Sequence, residues 1–201
     1  MKFAKMQGTG NDYIYVNCFE ETVFDPPAAA KFLSDRHFGV GSDGLVLIEP
    51  SDRADFKMDI YNSDGSRARM CGNAARCVAK YVCDNGLTDK SLISLETPGG
   101  IKYIDIYKEN GKVVSARVNM GAPILKSRDI PALFDSDTVI DLPLKVDEKS
   151  YRVTCLSMGN PHCVVFSEDL DSPLDYLDLE KLGPKFENDP LFPERVNTEF
   201  I

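Results

Sequence analysis

Met70-Cys71-Gly72-Asn73-Ala74-Ala75-Arg76-Cys77-Val78-Ala79-Lys80-Tyr81-Val82-Cys83-Asp84-Asn85-Gly86 reads as a helix with a lopsided surface. The spacing predicts a helix from Gly72 to Cys83, stopped by Asn85-Gly86, residues that tolerate the left-handed backbone of a helix end. Asn73, Arg76, Lys80 and Asp84 recur at steps of three and four and form one narrow polar stripe. Ala74, Ala75, Cys77, Val78, Ala79, Tyr81, Val82 and Cys83 cover the rest, so the helix is expected to be buried on most sides. Its alanines let neighbouring backbone come close. The sequence around it is mostly β in character, and the expected home of such a helix is the inside of a curled, mostly antiparallel sheet.

Working outward, short apolar runs separated by turn residues predict strands at Lys2 to Met6, Tyr13 to Val16, Leu45 to Glu49, Phe56 to Tyr61, Ile101 to Tyr107, Val113 to Asn119, Val153 to Leu156 and Cys163 to Phe166. Ser63-Asp64-Gly65, Pro98-Gly99-Gly100 and Glu109-Asn110-Gly111 supply the turns, the last as a hairpin. A helix is expected after Asp25, a side chain suited to the N-cap, with Pro26 in its first turn. Another is expected from Leu177 to Leu182, ending at Gly183.

The segment Gly10-Asn11-Asp12-Tyr13-Ile14-Tyr15-Val16 is echoed by Gly159-Asn160-Pro161-His162-Cys163-Val164-Val165, and Asn62-Ser63-Asp64 by Asn197-Thr198-Glu199. Same order and strand-end placement predict two related domains, 1–117 and 118–201, with the Pro-rich stretch from Gly121 to Pro143 as an irregular entry to the second. The fold class is therefore α+β, two pseudo-symmetric domains, each a curled sheet around a central helix.

Composition narrows the chemistry. With 201 residues, 43% of them hydrophobic, the chain can bury a core. A net charge of −9 without a Lys/Arg run offers phosphates and anionic membranes little attraction, so nucleic-acid and membrane partners are not expected. The N-terminal region breaks at Gln7-Gly8-Thr9-Gly10 and lacks an apolar export core, which points to the cytoplasm. Six cysteines without Cys-x-x-Cys spacing, and only His37 and His162, argue for free thiols and against a structural metal site.

Gly39-Val40-Gly41-Ser42-Asp43-Gly44 matches a dinucleotide-binding pattern, but that pattern needs a strand before it and a helix after it, and the order here is reversed. It reads as a turn that brings backbone close to a neighbour. Cys71 is different, because it stands at the mouth of the buried helix. Free amides and the helix dipole there favour a thiolate, and the Gly72 and Asn73 amides suit a substrate carboxylate. Asn11, Asn62, Asn160 and Asn197 stand at related strand ends, and neutral amides that donate and accept suit a zwitterion. His162 reads either as a loop residue or as a group setting a neighbouring thiol's protonation.

Taken together these motifs resemble the diaminopimelate epimerase family. The resemblance rests on Gly8-Thr9-Gly10-Asn11-Asp12, Gly39 to Gly44, Asn62-Ser63-Asp64-Gly65-Ser66, Met70-Cys71-Gly72-Asn73, Glu96-Thr97, Gly159-Asn160-Pro161-His162 and Phe192-Pro193-Glu194-Arg195-Val196-Asn197, in family order. It implies a homodimeric enzyme without pyridoxal phosphate or other cofactor that converts LL- to meso-diaminopimelate for lysine and peptidoglycan synthesis. It implies that Cys71 is one of two cysteines acting on opposite faces of the α-carbon, with His162 tuning the pair. Asn11, Asn62, Gly72, Asn73, Asn160 and Asn197 would contact substrate.

Two departures stand out. At Gly44 some members carry a substrate-contacting glutamine, which glycine cannot replace. The family's second cysteine opens a helix in the second domain after a Glu-Arg pair, and that motif is absent. The internal echo applied to Cys71 points beyond Ile201, so the expectation is a truncated chain with an incomplete second domain, inactive alone. A non-catalytic diamino-acid-binding half-site and a proline or hydroxyproline racemase-like enzyme are the alternatives, the latter opposed by Asn73 where histidine is expected.

Overall fold

Thr9 and Gly10 turn the first hairpin with positive φ at both positions (57° and 83°), the mirror-image turn whose twist matches paired strands. They join β1 (Ala4–Gly8) and β2 (Asn11–Asn17). The computed structural model describes residues 1–170 and 173–201, in two compact units, Met1–Met120 and Gly121–Ile201.

The first unit continues with α1 (Pro26–Ser34), β3 (Gly44–Glu49), β4 (Phe56–Asn62), β5 (Arg67–Ala68), α2 (Gly72–Asp84), β6 (Leu92–Thr97), β7 (Gly100–Glu109) and β8 (Lys112–Asn119). The sheet order is β1-β2-β3-β4-β6-β7-β8, with β5 hanging on β4. Strands at opposite ends of this order, β1 and β8, both pack on α2, so the sheet curls around that helix. Side chains alternate faces along a strand. Tyr13, Tyr15, Val46 and Ile48 therefore point towards α2, joining Ala74, Ala75, Cys77, Val78, Ala79 and Val82. Ile14, Val16, Leu45 and Leu47 point the other way, onto Ala30 and Leu33 of α1. The Asp25 carboxylate caps α1 by accepting from the Ala28 N–H at 3.1 Å.

The glycine-rich turn wraps the C-terminal end of α1. Val40 and Gly41 N–H donate to the Leu33 carbonyl, both at 2.9 Å, and a Cβ on Gly39 would lie 2.3 Å from the Phe32 carbonyl oxygen. The close neighbour anticipated for this turn is thus the helix before it, and the strand β3 follows it.

The second unit holds β9 (Leu142–Val146), β10 (Lys149–Ser157), β11 (Pro161–Val165), α3 (Leu179–Glu187) and β12 (Asn197–Phe200), in the sheet order β12-β11-β10-β9. Its core gathers Tyr151, Val153, Cys155, Cys163 and Val165 with Phe186 and Phe192. The helix expected to stop at Gly183 runs on through Pro184 to Glu187. The reason is Phe186, fully buried and packed edge-on against Tyr151 and Phe200, whose burial outweighs the amide lost at proline. Both units mix helix with sheet, as the α+β expectation requires.

Candidate active site

Cys71 is the N-cap of α2. Its backbone is extended (φ −144°, ψ 112°), and its sulfur accepts from the Ala74 N–H at 3.4 Å, the place a Ser or Asp oxygen takes in other helices. The Gly72 and Asn73 N–H groups, first in the helix, have no hydrogen-bond partner among the described residues, as expected of a helix start. On its other side the Cys71 thiol donates to Asn11 Oδ1 at 3.4 Å. Asn11 begins β2 immediately after the Thr9-Gly10 turn, and Gly8 lets that hairpin approach α2 closely. A Cβ on Gly8 would lie 3.1 Å from the Asn73 carbonyl oxygen. Arg76 straps the two elements, donating to Thr9 Oγ1 (3.0 Å) and to Asn73 Oδ1 (2.6 Å).

Behind this cluster lies a charged bracket. Asp43 Oδ2 accepts from Asn11 Nδ2 (2.8 Å) and from the Asp12 N–H (3.1 Å), while Arg36 donates to both Asp43 Oδ1 and Asp12 Oδ1 at 3.0 Å. Lys5 adds a second cation to Asp12 at 3.0 Å. Burial works against the Asp12 carboxylate, yet Arg36 and Lys5 together hold it below the usual carboxylate range. Tyr13 is 6% exposed, with its hydroxyl beside the Cys71 sulfur and the Asn11 amide. Burial first, and the neighbouring sulfur next, push that phenol up to about 12, so it stays a neutral donor at physiological pH. Asn62 ends β4 across from Gly44 and turns its Nδ2 towards Ser66 Oγ at 3.0 Å.

In the second unit, Asn160, His162 and Asn197 come together at the paired starts of β11 and β12. His162 and Asn197 are register partners. The His162 ring is held from both nitrogens, by Glu199 Oε1 at 2.7 Å on Nδ1 and by Asn160 Oδ1 at 3.0 Å on Nε2. Asn197 Nδ2 donates to the Pro161 carbonyl at 2.9 Å. Glu199 Oε2 is buried without a partner among the described residues, leaving an open acceptor beside the imidazole.

A model of the diaminopimelate epimerase family matches residues 3–126. The chain is 56% identical over its full 201 residues to a diaminopimelate epimerase of Acetivibrio thermocellus, covering 70% of that protein, and 55% identical to one of Agathobacter rectalis, covering 72%. This chain belongs to the diaminopimelate epimerase family. That family is one of isomerases, and the wider fold is shared with more distant proteins. A probable proline racemase from Agrobacterium radiobacter superposes over 85% of this chain with a TM-score of 0.66 at 14% identity, and a hydroxyproline epimerase from Agrobacterium vitis with 0.60 at 14%. The chain spans about half the length of those two solved structures, 53% of each.

Within the family frame, the other cysteines differ sharply from Cys71. Cys77, Cys155 and Cys163 are buried, and burial pushes the Cys18 thiol up to about 11 and raises Cys83 as well. Among the described residues no three His, Cys, Asp or Glu side chains converge to hold a metal. Sequence reasoning missed Tyr13, Asp43 and Glu199. Tyr13 looks like any aromatic in a strand, and Asp43 like any turn residue. Glu199 follows Asn197 by two residues and so shares its face of β12, a signal that could have been used.

Proposed function

We propose that this polypeptide is a cofactor-independent diaminopimelate epimerase chain in which Cys71 is one of two acid/base thiols. The observation that carries the reading is the Cys71 sulfur capping α2, next to two free amides, within this family's fold. Cys71 as thiolate takes the proton from the substrate α-carbon as that C–H bond breaks. The electron pair left behind delocalises into the α-carboxylate, which the Gly72 and Asn73 N–H groups hold. A thiol on the opposite face then returns a proton to the same carbon, inverting it. LL-diaminopimelate becomes the meso form, the precursor of lysine and peptidoglycan. Asn11, Asn62 and Asn73 in the first unit, and Asn160 and Asn197 in the second, supply further substrate contacts, while His162 tunes the protonation of the thiol pair.

Among the described residues no other cysteine stands at a helix start, so these 201 residues supply one of the two thiols and are expected not to epimerise by themselves. The homodimer that the resemblance implies belongs to the same proposal. Two assays test the reading with the 201-residue polypeptide. LL-diaminopimelate is expected to protect Cys71 from iodoacetamide saturably while proline does not, and no meso product is expected in D2O. Absence of protection, or equal protection by proline, overturns the substrate assignment. Meso product bearing deuterium overturns the single-thiol part, and its persistence in Cys71→Ala overturns the role of Cys71.

A further inference from the structure

We propose that Asp43 is a positioning residue for Cys71, acting through the Asn11 amide and holding that amide with its oxygen rather than its nitrogen towards the sulfur. The proposal rests on the reading of Cys71 as an acid/base thiol. Asp43 is pinned on both sides by backbone: its N–H donates to the Asp12 carbonyl (2.7 Å), and its own carbonyl accepts from the Ser63 N–H (3.0 Å). Its carboxylate therefore has little freedom, and Arg36, Asp12 N–H and Asn11 Nδ2 saturate it. An amide oxygen and nitrogen look alike in shape, but an ionised carboxylate can only accept. The Asn11 atom 2.8 Å from Asp43 must be the nitrogen, which leaves Oδ1 as the atom 3.4 Å from Cys71 Sγ.

This orientation has a chemical consequence. A thiol donates to Oδ1, whereas a thiolate is repelled by it. The Ala74 N–H on the other side does the opposite, since it is an interaction a thiolate accepts better than a thiol. Cys71 thus sits between the Asn11 oxygen, which favours its protonated form, and the Ala74 N–H and the neighbouring Tyr13 hydroxyl, which favour its ionised form. A sulfur that must give a proton in one reaction direction and take it in the other needs that balance. Freed from Asp43, the amide can rotate and present its NH2 to the sulfur, and the balance tips towards thiolate. The titratable groups around the sulfur are Tyr13 and Tyr15 on β2, Cys77 on α2, and Asp43 through Asn11, with Asp12, Arg36 and Lys5 behind.

The test is the rate of Cys71 alkylation by iodoacetamide against pH, read by peptide mass spectrometry on the full chain. Asp43→Asn is expected to raise the rate at pH 7 about fivefold and to move the rate–pH curve to lower pH. Asp12→Asn removes a charge from the same bracket but keeps the Asp43–Asn11 bond, and is expected to change the rate less than about twofold. An unchanged curve in Asp43→Asn, or equal effects of the two variants, overturns the proposal. Should Asp43→Asn not fold, the wild-type protein decides. The Asn11 side-chain amide hydrogens are expected to exchange at least about tenfold more slowly than a free asparagine amide, and exchange at the free rate overturns it. Alkylation needs no substrate, so its failure leaves the substrate-protection result standing, and the reverse also holds.

Discussion

Two tyrosines two residues apart on β2 show how much a single hydroxyl's surroundings decide. Tyr13 and Tyr15 share a face and are both buried, at 6% and 0% exposed. The Tyr13 hydroxyl lies beside the Cys71 sulfur and the Asn11 amide. The Tyr15 hydroxyl has no hydrogen-bond partner among the described residues, and the weakly accepting Cys77 thiol lies near it. Tyr13→Phe removes a donor that a thiolate uses, so it is expected to slow Cys71 alkylation at pH 7 about fivefold with the fold intact by circular dichroism. A rate within twofold of wild type overturns this. Tyr15→Phe removes a buried group that was never satisfied, and is expected to leave stability unchanged or raise it by about 1 kcal/mol. A loss above about 1 kcal/mol in urea unfolding would show that Cys77 is a true partner. Sequence alone places both rings in a strand. It cannot separate them, because the distinction depends on which turn of α2 each ring tip meets.

At the scale of elements, the shortest joint along the main strand order of the larger sheet is the parallel contact of β4 with β6. It comprises only Phe56↔Leu95 and Lys57↔Glu96. Side chains reinforce it. The Asp55 carboxylate accepts from the Ser94 N–H (2.8 Å) and Oγ (2.9 Å) and pairs with Lys90, while Glu96 accepts from Ser51 Oγ at 2.6 Å. Lys90, followed by the Ser94 N–H, holds the Asp55 carboxyl below its ordinary value. A depressed carboxylate adds stability that is complete above the unfolded-state value near 4 and disappears as pH falls through the folded value. Asp55→Asn is therefore expected to cost about 1 kcal/mol at pH 7, with the gap to wild type closing between roughly pH 4 and pH 2. A gap independent of pH in urea titrations would refute the assignment. Strands such as β2, β3 and β4 were legible because Ile, Val and Tyr alternate between turn residues. β9 contains Pro143, β5 has two residues and β12 is short and polar. These three owe their strand state to a neighbour's hydrogen bonds rather than to their own composition, whereas β6 was missed although Pro98-Gly99-Gly100 marks its end. In the site, Cys71 was legible for the opposite reason: its role follows from a helix start written in adjacent residues. Asp43 and Asn11 are 32 positions apart, and only folding makes them partners.

At the scale of the whole molecule, the cysteines report on two cores that share no residue. Cys77 is buried in the core around α2, while Cys155 and Cys163 are buried in the core of the second unit. Cys163 is pushed far above the ordinary thiol range by the neighbouring free thiol of Cys155, within hydrogen-bonding reach, and by burial, so in the native state it is both hidden and protonated. Half-buried Cys71, at the helix mouth, is expected to alkylate first. The other labels then time the opening of each core. The first unit is larger and packs helices on both faces of its sheet, whereas the second is built on a four-stranded sheet and α3. A smaller unit buries a smaller share of its surface and has less apolar burial to set against chain entropy. Pulse labelling along a urea series is therefore expected to expose Cys155 and Cys163 about 1 M before Cys77, a separation matching roughly 1–3 kcal/mol between the units. Coincident midpoints would mean that the units unfold as one, and an earlier Cys77 would mean that the helix-filled sheet is the weaker of the two.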